Sequence, residues 1–419
     1  MPRSIIHGLV NCSRKKHVFK VLQISNKAPY PTNDGSSIAI FNMAKGFIEN
    51  NIPLHLLTIN TKKHFKADSE VPQEFKIKSH YASVYNNTNT SALGAFFNLF
   101  TGSSYFVSRF YFKAFERKLI ETLKSETFDI VQVEGLFMGV YIDTIKKYSK
   151  ARVVLRAHNI EHFIWRRHIA HEKMSAKKIY LTLQNKRLKK FEMEVMAKVD
   201  AIVPITKTDE DEFKKLGFTK PIFSCITGVD VKSYQTKLNL NEKAKTIFYF
   251  GSMDWLPNQE AANWFLTNCW DTIHKEVPEA KLIVAGRGMP LEFFHITRPN
   301  VVIVENVENG KAFFQQHQVM IVPLWSGSGL RIKIIEGMAY GKAIVSTSIG
   351  AEGINYTDGK NILIADNAKE FSNAVIKLLK DNSIRTDLEK NAAEFARAEF
   401  DNFKVAARLV EFYNKLLNA

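Results

Sequence analysis

The strongest chemical pattern in the sequence is a serine- and glycine-rich loop followed by two basic residues and one acidic residue, within SGSGLRIKIIEGMAYGKAIVSTSIGAEG at 326–353. Glycine lets the backbone approach a ligand because no Cβ stands in the way. A helix predicted to begin near Leu330 would direct its free N–H groups and its positive dipole end at the loop, which favours an anion. Arg331 and Lys333 in the first turn oppose that dipole, and this indicates a negatively charged ligand.

The expected interaction energies indicate that protein cations would contribute most to the binding of such an anion. The helix dipole supplies up to about 2 kcal/mol, whereas each charge-assisted hydrogen bond from Arg331 or Lys333 supplies roughly 1.5–3 kcal/mol. Glu336, one turn further along, has the chemistry to accept hydrogen bonds from ribose hydroxyls. The alternative is a surface Lys333–Glu336 ion pair on an ordinary helix, and the Ser/Gly loop weighs against it.

Two series of alternating strands and helices position this segment. The first series has strands predicted at His17–Ser25, Leu54–Ile59, Phe128–Val133, Arg152–Ala157 and Asp200–Pro204, and the second at Lys245–Phe250, Ala280–Ala285, Val301–Val304, Val319–Pro323 and Lys342–Ser346. This pattern predicts an α/β fold with two Rossmann-like domains facing across a cleft, where ligands bind at the carboxyl ends of the strands. We expect an N-terminal acceptor-binding domain over 1–228, a nucleotide-sugar-binding domain over 229–399 and a helix over 400–419 that returns to the first domain.

Length and composition are those of an ordinary two-domain protein. The chain has 419 residues, of which 45% are hydrophobic and 24% are charged. Its three widely spaced cysteines predict a reducing compartment. No export signal or membrane-spanning run is visible, so we expect a cytoplasmic protein, peripheral at the inner face of the membrane if it binds lipid.

The net charge of +16 is compatible with nucleic acid, an anionic membrane or phosphorylated substrates. The helix predicted over Met174–Lys198 carries six basic residues and no acid before residue 191, interleaved with apolar ones. Such a face is either simply solvated or binds anionic lipid headgroups. Nucleic acid is the least favoured partner, and we expect none.

Several motifs together resemble the GT-B glycosyltransferases, in particular the retaining family 4 (glycosyl transferases group 1). The residues that fit its donor-site signature are Gly341, Lys342, Ile344, Val345, Thr347, Gly350, Glu352 and Gly353. Gly251 and Ser252 resemble the phosphate loop of the family, Gly286 and Arg287 its base-binding turn, and Gly35 the flexible N-terminal loop. Arg156 to Asn159 resembles the strand end that places a histidine beside the transferred sugar.

The resemblance implies a role for each residue. His158 would contact the sugar, Arg331 and Lys333 the diphosphate, Glu336 the ribose, and the loop residues Ser328, Gly329 and Leu330 the donor. The implied reaction retains the anomeric configuration and uses no metal and no cofactor. Its donor would be a UDP- or GDP-sugar and its acceptor a glycan or a lipid-linked glycan. Ser328 stands where the family has a sugar-contacting Glu, so the sugar pocket differs from the commonest type.

Other functions remain open at this stage. A sugar-nucleotide epimerase of the same fold would turn over the donor without acceptor, and a non-catalytic partner subunit would bind nucleotide without turnover. Asp209–Glu210–Asp211 matches a metal-binding D-x-D pattern, but it stands at a predicted helix start, where acidic residues favour the dipole. His158 and His162 have the i, i+4 spacing of a metal pair without a third ligand.

Overall fold

The structure is a computed structural model that describes residues 19–30, 35–62, 65, 67–87, 91–234, 245–326 and 330–419. Its first sheet consists of parallel strands in the order β3-β2-β1-β4-β5-β6. These strands are β1 (Val21–Ser25), β2 (Leu54–Thr61), β3 (Ala82–Asn86), β4 (Ile130–Glu134), β5 (Arg152–Ala157) and β6 (Ala201–Pro204). The strand order reverses between β1 and β4, so the crevice for a ligand opens at their carboxyl ends.

Helices cover both faces of this sheet. They are α1 (Gly35–Glu49), α2 (Gln73–Lys78), α3 (Ala92–Asn98), α4 (Tyr105–Ser108), α5 (Lys113–Ser125), α6 (Ile142–Tyr148), α7 (Glu161–His171), α8 (Ala176–Lys198) and α9 (Lys207–Lys215). Strands β1 and β4 are buried along their whole length, as strands covered on both faces must be. Separate apolar cores therefore lie on the two sides of the sheet.

The second sheet repeats the plan with the parallel order β12-β11-β10-β7-β8-β9. Its strands are β7 (Thr246–Phe250), β8 (Lys281–Gly286), β9 (Val301–Glu305), β10 (Val319–Val322), β11 (Ala343–Ser346) and β12 (Leu363–Ile364). Its helices are α10 (Leu256–Asn268), α11 (Trp270–Glu276), α12 (Gly310–Gln316), α13 (Ile332–Ala339), α14 (Ala368–Lys380) and α15 (Asn382–Glu399). The strand order reverses between β7 and β10, which places the loop before α13 at the crevice.

The last helix, α16 (Asn402–Leu417), packs on α1 and so returns to the first sheet. The approach is close, because a Cβ on Gly46 would lie 2.5 Å from the Cβ of Ala406. The two segments that join the halves of the chain run side by side, with the Val229 N–H donating to Phe400 O at 2.8 Å. The prediction of an α/β fold with two Rossmann-like sheets and a returning C-terminal helix is confirmed. The domain limits stay a prediction, at 1–228, 229–399 and 400–419.

Strand β1 begins later than the sequence predicted, at Val21 rather than His17. The strand starts later because the backbone of Lys20 forms hydrogen bonds with the loop before β4 and not with a neighbouring strand. The Lys20 N–H donates to Asp129 Oδ2 at 2.7 Å, and its carbonyl accepts from the Asp129 N–H at 3.0 Å. Residues 17 and 18 lie outside the described residues.

Candidate active site

Two glycine turns, at the ends of β7 and β8, form the floor of the candidate donor site. The Gly251 N–H donates to Ala285 O at 3.1 Å, and the Met253 N–H donates to Arg287 O at 2.8 Å. A Cβ on Gly286 would lie 1.7 Å from the carbonyl oxygen of Gly251, so only glycine fits there. The side chains continue the pairing, because Arg287 Nε donates to Ser252 Oγ at 3.1 Å. The structure thus brings four predicted residues (Gly251, Ser252, Gly286, Arg287) into one place.

Gly286→Ala is expected to destabilise the fold by about 1–3 kcal/mol, because the new methyl group must push the two turns apart. Gly310→Ala is the matched control, since a Cβ on Gly310 meets its nearest atom, in Phe250, at 4.0 Å. Denaturant unfolding of both variants measures the difference. Equal midpoints for Gly286→Ala and the parent chain would show that the turns are not locked together.

Lys333 lies against these turns, and its ammonium group is held by neutral partners. Its Nζ donates to Asn258 Oδ1 at 3.0 Å and to Tyr249 Oη at 3.3 Å. A Cβ on Gly251 would lie only 3.1 Å from this Nζ. Burial, with a further contribution from the positive charge of Arg331, lowers the pKa of Lys333 to about 7. An anion bound at the turns would restore the charged form of Lys333.

Arg331 stands just before α13 and is only 6% exposed. Its guanidinium carbon lies 5.6 Å from the centre of the Trp255 ring. Burial lowers the pKa of Arg331, and the negative charge of Glu352 opposes that shift. The prediction that Arg331 occupies the first helical turn is wrong by one position. It is the N-cap residue, with non-helical backbone angles (φ −86°, ψ 81°), and α13 begins at Ile332.

Glu336 points away from Lys333. Its carboxylate accepts a hydrogen bond from Tyr234 Oη at 3.1 Å, and the Tyr234 ring packs edge-on against Tyr340 at 4.5 Å. Burial raises the pKa of Glu336 to about 7, although the Tyr234 hydrogen bond opposes the shift. Because Lys333 and Glu336 bond to different partners, the alternative of a surface ion pair between them does not describe the site.

The loop before α13 is described only in part. The predicted site residues Ser328 and Gly329 lie outside the described residues. Ser326, at the near end, donates from Oγ to Glu260 Oε2 at 2.9 Å. Leu330, at the far end, faces Gly353, whose Cβ would lie 3.6 Å from Leu330 Cδ1.

His158 follows β5 at the carboxyl edge of the first sheet and is held by Glu134, the last residue of the neighbouring strand β4. His158 Nε2 and Glu134 Oε2 are 2.7 Å apart. Glu134 is 1% exposed, and burial alone would raise its pKa. The hydrogen bond from His158 and the charges of His158 and Arg156 prevail, so the pKa of Glu134 is lowered. An ionised Glu134 accepts a hydrogen bond from the N–H at Nε2 of His158, so Nδ1 is the ring nitrogen that remains for another partner.

Glu134 also ends a buried chain of hydrogen bonds that begins on α16. Tyr413 Oη donates to Gln132 Oε1 at 2.6 Å, and Gln132 Nε2 donates in turn to Glu134 Oε1. Gln23 Nε2, on β1, donates to the same oxygen at 2.7 Å. The returning helix therefore helps to fix the carboxylate that orients His158.

A cavity of about 420 Å³ opens beside Asn159, the residue after His158, and is lined by both halves of the chain. The first half contributes α7 and the start of α9, and the second contributes the turn after β11. The lining residues are Asn159, Ile160, Phe163, Ile164, Arg166, Arg167, Thr206, Thr208, Asp209, Glu212, Glu352 and Gly353. Gly35, at the start of α1, also faces the second half, since its Cβ would lie 3.8 Å from Ile332 Cδ1. Charged, polar and apolar side chains therefore line the cavity together.

The remaining candidates have structural partners. Asp209 accepts a hydrogen bond from Thr206 Oγ1 at 2.7 Å in the first turn of α9, and Glu210 lies between Lys207 and Lys214. His162 is buried and bonds through Nδ1 to Glu192 Oε2 at 2.5 Å. These contacts agree with the structural interpretation of the acidic triplet and of His162.

The second half of the chain is similar to a known protein family. Residues 244–381 match the family model described as Glycosyl transferases group 1. The predicted resemblance to the GT-B glycosyltransferases is confirmed. An uncharacterised 44.6 kDa protein in the cps region of Klebsiella pneumoniae is 22% identical over 396 residues, which are 92% of this chain and 97% of that protein.

Solved GT-B structures share the whole architecture. Sucrose-phosphate synthase from Thermosynechococcus elongatus superposes with a TM-score of 0.64 at 13% identity, covering 95% of this chain and 99% of that one. Anabaena Alr3699/HepE in complex with UDP-glucose gives a TM-score of 0.62 at 14% identity, covering 93% and 98%. At these identities the similarity is one of fold.

Proposed function

We propose that this protein is a retaining, metal-independent glycosyltransferase that moves a sugar from a nucleotide diphosphate sugar to a glycan or lipid-linked acceptor. One observation carries the proposal. Lys333 and Arg331, two cations whose pKa values are lowered by burial, lie near paired glycine turns where a diphosphate can come close to the backbone. The Alr3699/HepE structure, of the same fold, holds UDP-glucose.

The donor is bound through four sets of contacts. Arg331, Lys333 and the backbone of the glycine turns hold the diphosphate, and Glu336 accepts hydrogen bonds from the ribose hydroxyls. Gly286 and Arg287 contact the base, and residues 328–330 contact the donor from the α13 loop. The same cations stabilise the charge that develops when the bond between the anomeric carbon and the phosphate oxygen breaks, which is the main electrostatic contribution to catalysis.

The acceptor hydroxyl attacks the anomeric carbon from the face that the phosphate leaves. The new C–O bond forms as the C–O bond to phosphate breaks, and the departing phosphate oxygen takes the hydroxyl proton. Configuration is therefore retained, and no further base is needed. His158, held by Glu134 with Nδ1 free to accept, binds a hydroxyl of the transferred sugar. The cavity beside Asn159 receives the acceptor.

A donor-binding screen tests the proposal. UDP-, GDP- and ADP-sugars are titrated against the parent chain, against Arg331→Ala and against Arg298→Ala, whose guanidinium pairs with Asp271 on the surface. Loss of one charge-assisted contact predicts that Arg331→Ala weakens binding of the preferred donor about tenfold or more. Arg298→Ala should bind as the parent does. Unchanged affinity in Arg331→Ala would refute the phosphate assignment.

Turnover separates the rival functions. A glycosyltransferase releases nucleotide diphosphate faster when an acceptor glycan is present. An epimerase would convert the donor sugar without acceptor or nucleotide release, and a non-catalytic partner subunit would bind the donor and do neither.

A further inference from the structure

Four large apolar side chains project from α3 and the turn that follows it. Leu93, Phe96, Phe97 and Phe100, the aromatic cluster, are each between 55% and 79% exposed. The Phe96 ring lies edge-on to Phe97 at 5.9 Å and to Phe100 at 5.6 Å, so the side chains form one patch. Contiguous apolar patches on a protein surface mark interaction sites, whereas single exposed apolar residues are ordinary.

The polar side of the same segment anchors it to α8. Gln184 Nε2 donates to Asn98 Oδ1 at 3.1 Å, and Arg187 donates to the carbonyl oxygens of Asn98 and Leu99, each at 2.9 Å. Ser91 caps α3 by accepting from the Gly94 N–H at 2.9 Å. The aromatic cluster is thus held in place with its apolar side outward.

Helix α8 provides positive charge next to this cluster. Ile179, Leu183, Lys186 and Lys190 follow the i, i+4, i+7, i+11 spacing of one helix face, and all are exposed. We call this face the basic stripe. It borders the aromatic cluster, because Leu183 lies one turn from Arg187, the residue that binds the end of α3. In the described part of the chain, Lys186 has no ion-pair partner, and Lys190 has only a solvent-exposed one, Glu194 Oε1 at 3.9 Å, so both charges can act on a ligand.

We propose that the aromatic cluster and the basic stripe together bind the surface of an anionic lipid bilayer. Apolar side chains that insert at the headgroup level beside lysines are the pattern of interfacial membrane binding. A nucleic acid would be held by charge alone and would leave four exposed apolar side chains unused. A solvated helix face, the other interpretation of α8, does not account for the aromatic cluster. Among the described residues, no helix combines the length and the apolar character that a bilayer span requires.

Helix α4 connects this surface to α7, since the Tyr105 N–H donates to Gln184 Oε1 on α8 at 2.7 Å. The Trp165 ring stacks on Phe106 at 3.9 Å, and the neighbouring α7 residues Phe163 and Arg166 line the cavity. If the proposed function holds, a lipid-linked acceptor would reach the cavity from the bound membrane. Only this step of the inference rests on the proposed function.

Co-sedimentation of the full chain with vesicles tests the proposal. We expect binding to vesicles of phosphatidylcholine with phosphatidylglycerol and none to phosphatidylcholine alone. The triple variant Phe96→Ser, Phe97→Ser, Phe100→Ser should lose binding about tenfold or more with an unchanged unfolding midpoint, because these side chains are already exposed. The control variant, Phe294→Ser with Phe403→Ser, alters exposed rings elsewhere and should bind as the parent does.

Charge reversal tests the basic stripe separately. Lys186→Glu with Lys190→Glu should reduce binding about tenfold and flatten its dependence on salt, whereas Lys369→Glu with Lys390→Glu, the same charge change on exposed lysines of the second half, should not. Arg187 is left unchanged because it holds α3.

Three results would overturn the proposal. One is absence of binding to the anionic vesicles, and another is parental binding by both surface variants. The third is a phenylalanine variant that converts a dimer to a monomer while vesicle binding persists, which would assign the aromatic cluster to a second copy of the chain. Donor binding and turnover, measured without vesicles, report on the proposed function independently.

Discussion

Lys333→Met is expected to weaken UDP binding roughly ten- to hundredfold. The ammonium group lies at the glycine turns with neutral partners, Asn258 and Tyr249, so the proposed diphosphate would supply the negative charge that its environment lacks. Loss of one charge-assisted hydrogen bond of about 1.5–3 kcal/mol gives that range. Methionine keeps the apolar stem of the side chain, so the fold should persist. Calorimetric titration with UDP measures the effect, and Lys369→Met, an exposed position on α14, is the control.

The pH dependence of UDP binding provides a second signature of Lys333. Its pKa is lowered to about 7 in the free protein, and a bound diphosphate would raise it. Between these two values binding takes up a proton, so UDP affinity should fall as pH rises above about 7, by at most tenfold per pH unit. The terminal phosphate of UDP, with a second pKa of about 6, is largely ionised in this range, and its remaining deprotonation would raise affinity with pH and so cannot produce the predicted fall. Lys333→Met should abolish this dependence of UDP affinity on pH. If the dependence persists in the variant, it arises from the titration of another group.

His158→Ala is expected to lower kcat about a hundredfold or more and to leave UDP affinity unchanged. The imidazole contacts the transferred sugar in the proposed reaction, whereas UDP lacks the sugar. Removal of one preorganised polar group that acts in the transition state costs about 10²–10³ in kcat. Single-turnover kinetics with the preferred donor separates chemistry from binding. Normal turnover in this variant would remove the proposed role.

Glu134→Gln tests the positioning role of the carboxylate behind His158. Glutamine keeps the shape but removes the charge that holds the proton on Nε2, so we expect a smaller loss in kcat and an altered pH–rate profile, with KM unchanged. Tyr413→Phe is the matched control. It breaks the same buried chain at its far end and should cost about 1 kcal/mol of stability without altering the pH profile. Identical pH–rate profiles in Glu134→Gln and the parent would show that Glu134 has only a structural role.

The parts of the fold that sequence could predict are those with strong local patterns. The strand Arg152–Ala157 has the predicted bounds because the apolar, largely β-branched run Val153 to Leu155 stands between polar loops. Strand β3 (Ala82–Asn86) was missed because it lies at the sheet edge, is partly exposed and lacks a continuous apolar run. Strand β12 has only two residues, too few for any periodicity.

In the candidate site, too, local sequence patterns could be predicted and contacts between distant residues could not. Lys333 and Glu336 could be found because the loop and helix start around them form one local pattern. Glu134 was missed because its partner His158 is 24 residues away on another strand, and the only sequence signal was an acidic residue that ends a buried strand. Tyr249 and Asn258 were missed for a similar reason, since Lys333 reaches them across 84 and 75 residues.

Helix α8 shows how packing reassigns a residue. Sequence grouped Arg187 with the solvent-facing basic residues because its charge and spacing match theirs. In the structure its guanidinium binds the carbonyl oxygens that end α3, so it orders the aromatic cluster and is not part of the lysine face. Sequence could not show this, because the helix that Arg187 binds is about 90 positions earlier in the chain.

The most direct test of the donor site is a crystal structure of the chain with UDP bound. We predict diphosphate oxygens within about 3 Å of Lys333 Nζ, at charge-assisted hydrogen-bond distance, further contacts from Arg331, and ribose hydroxyls on the Glu336 carboxylate. UDP bound elsewhere, or bound in the cleft with its diphosphate away from Lys333 and Arg331, would contradict the proposed donor site.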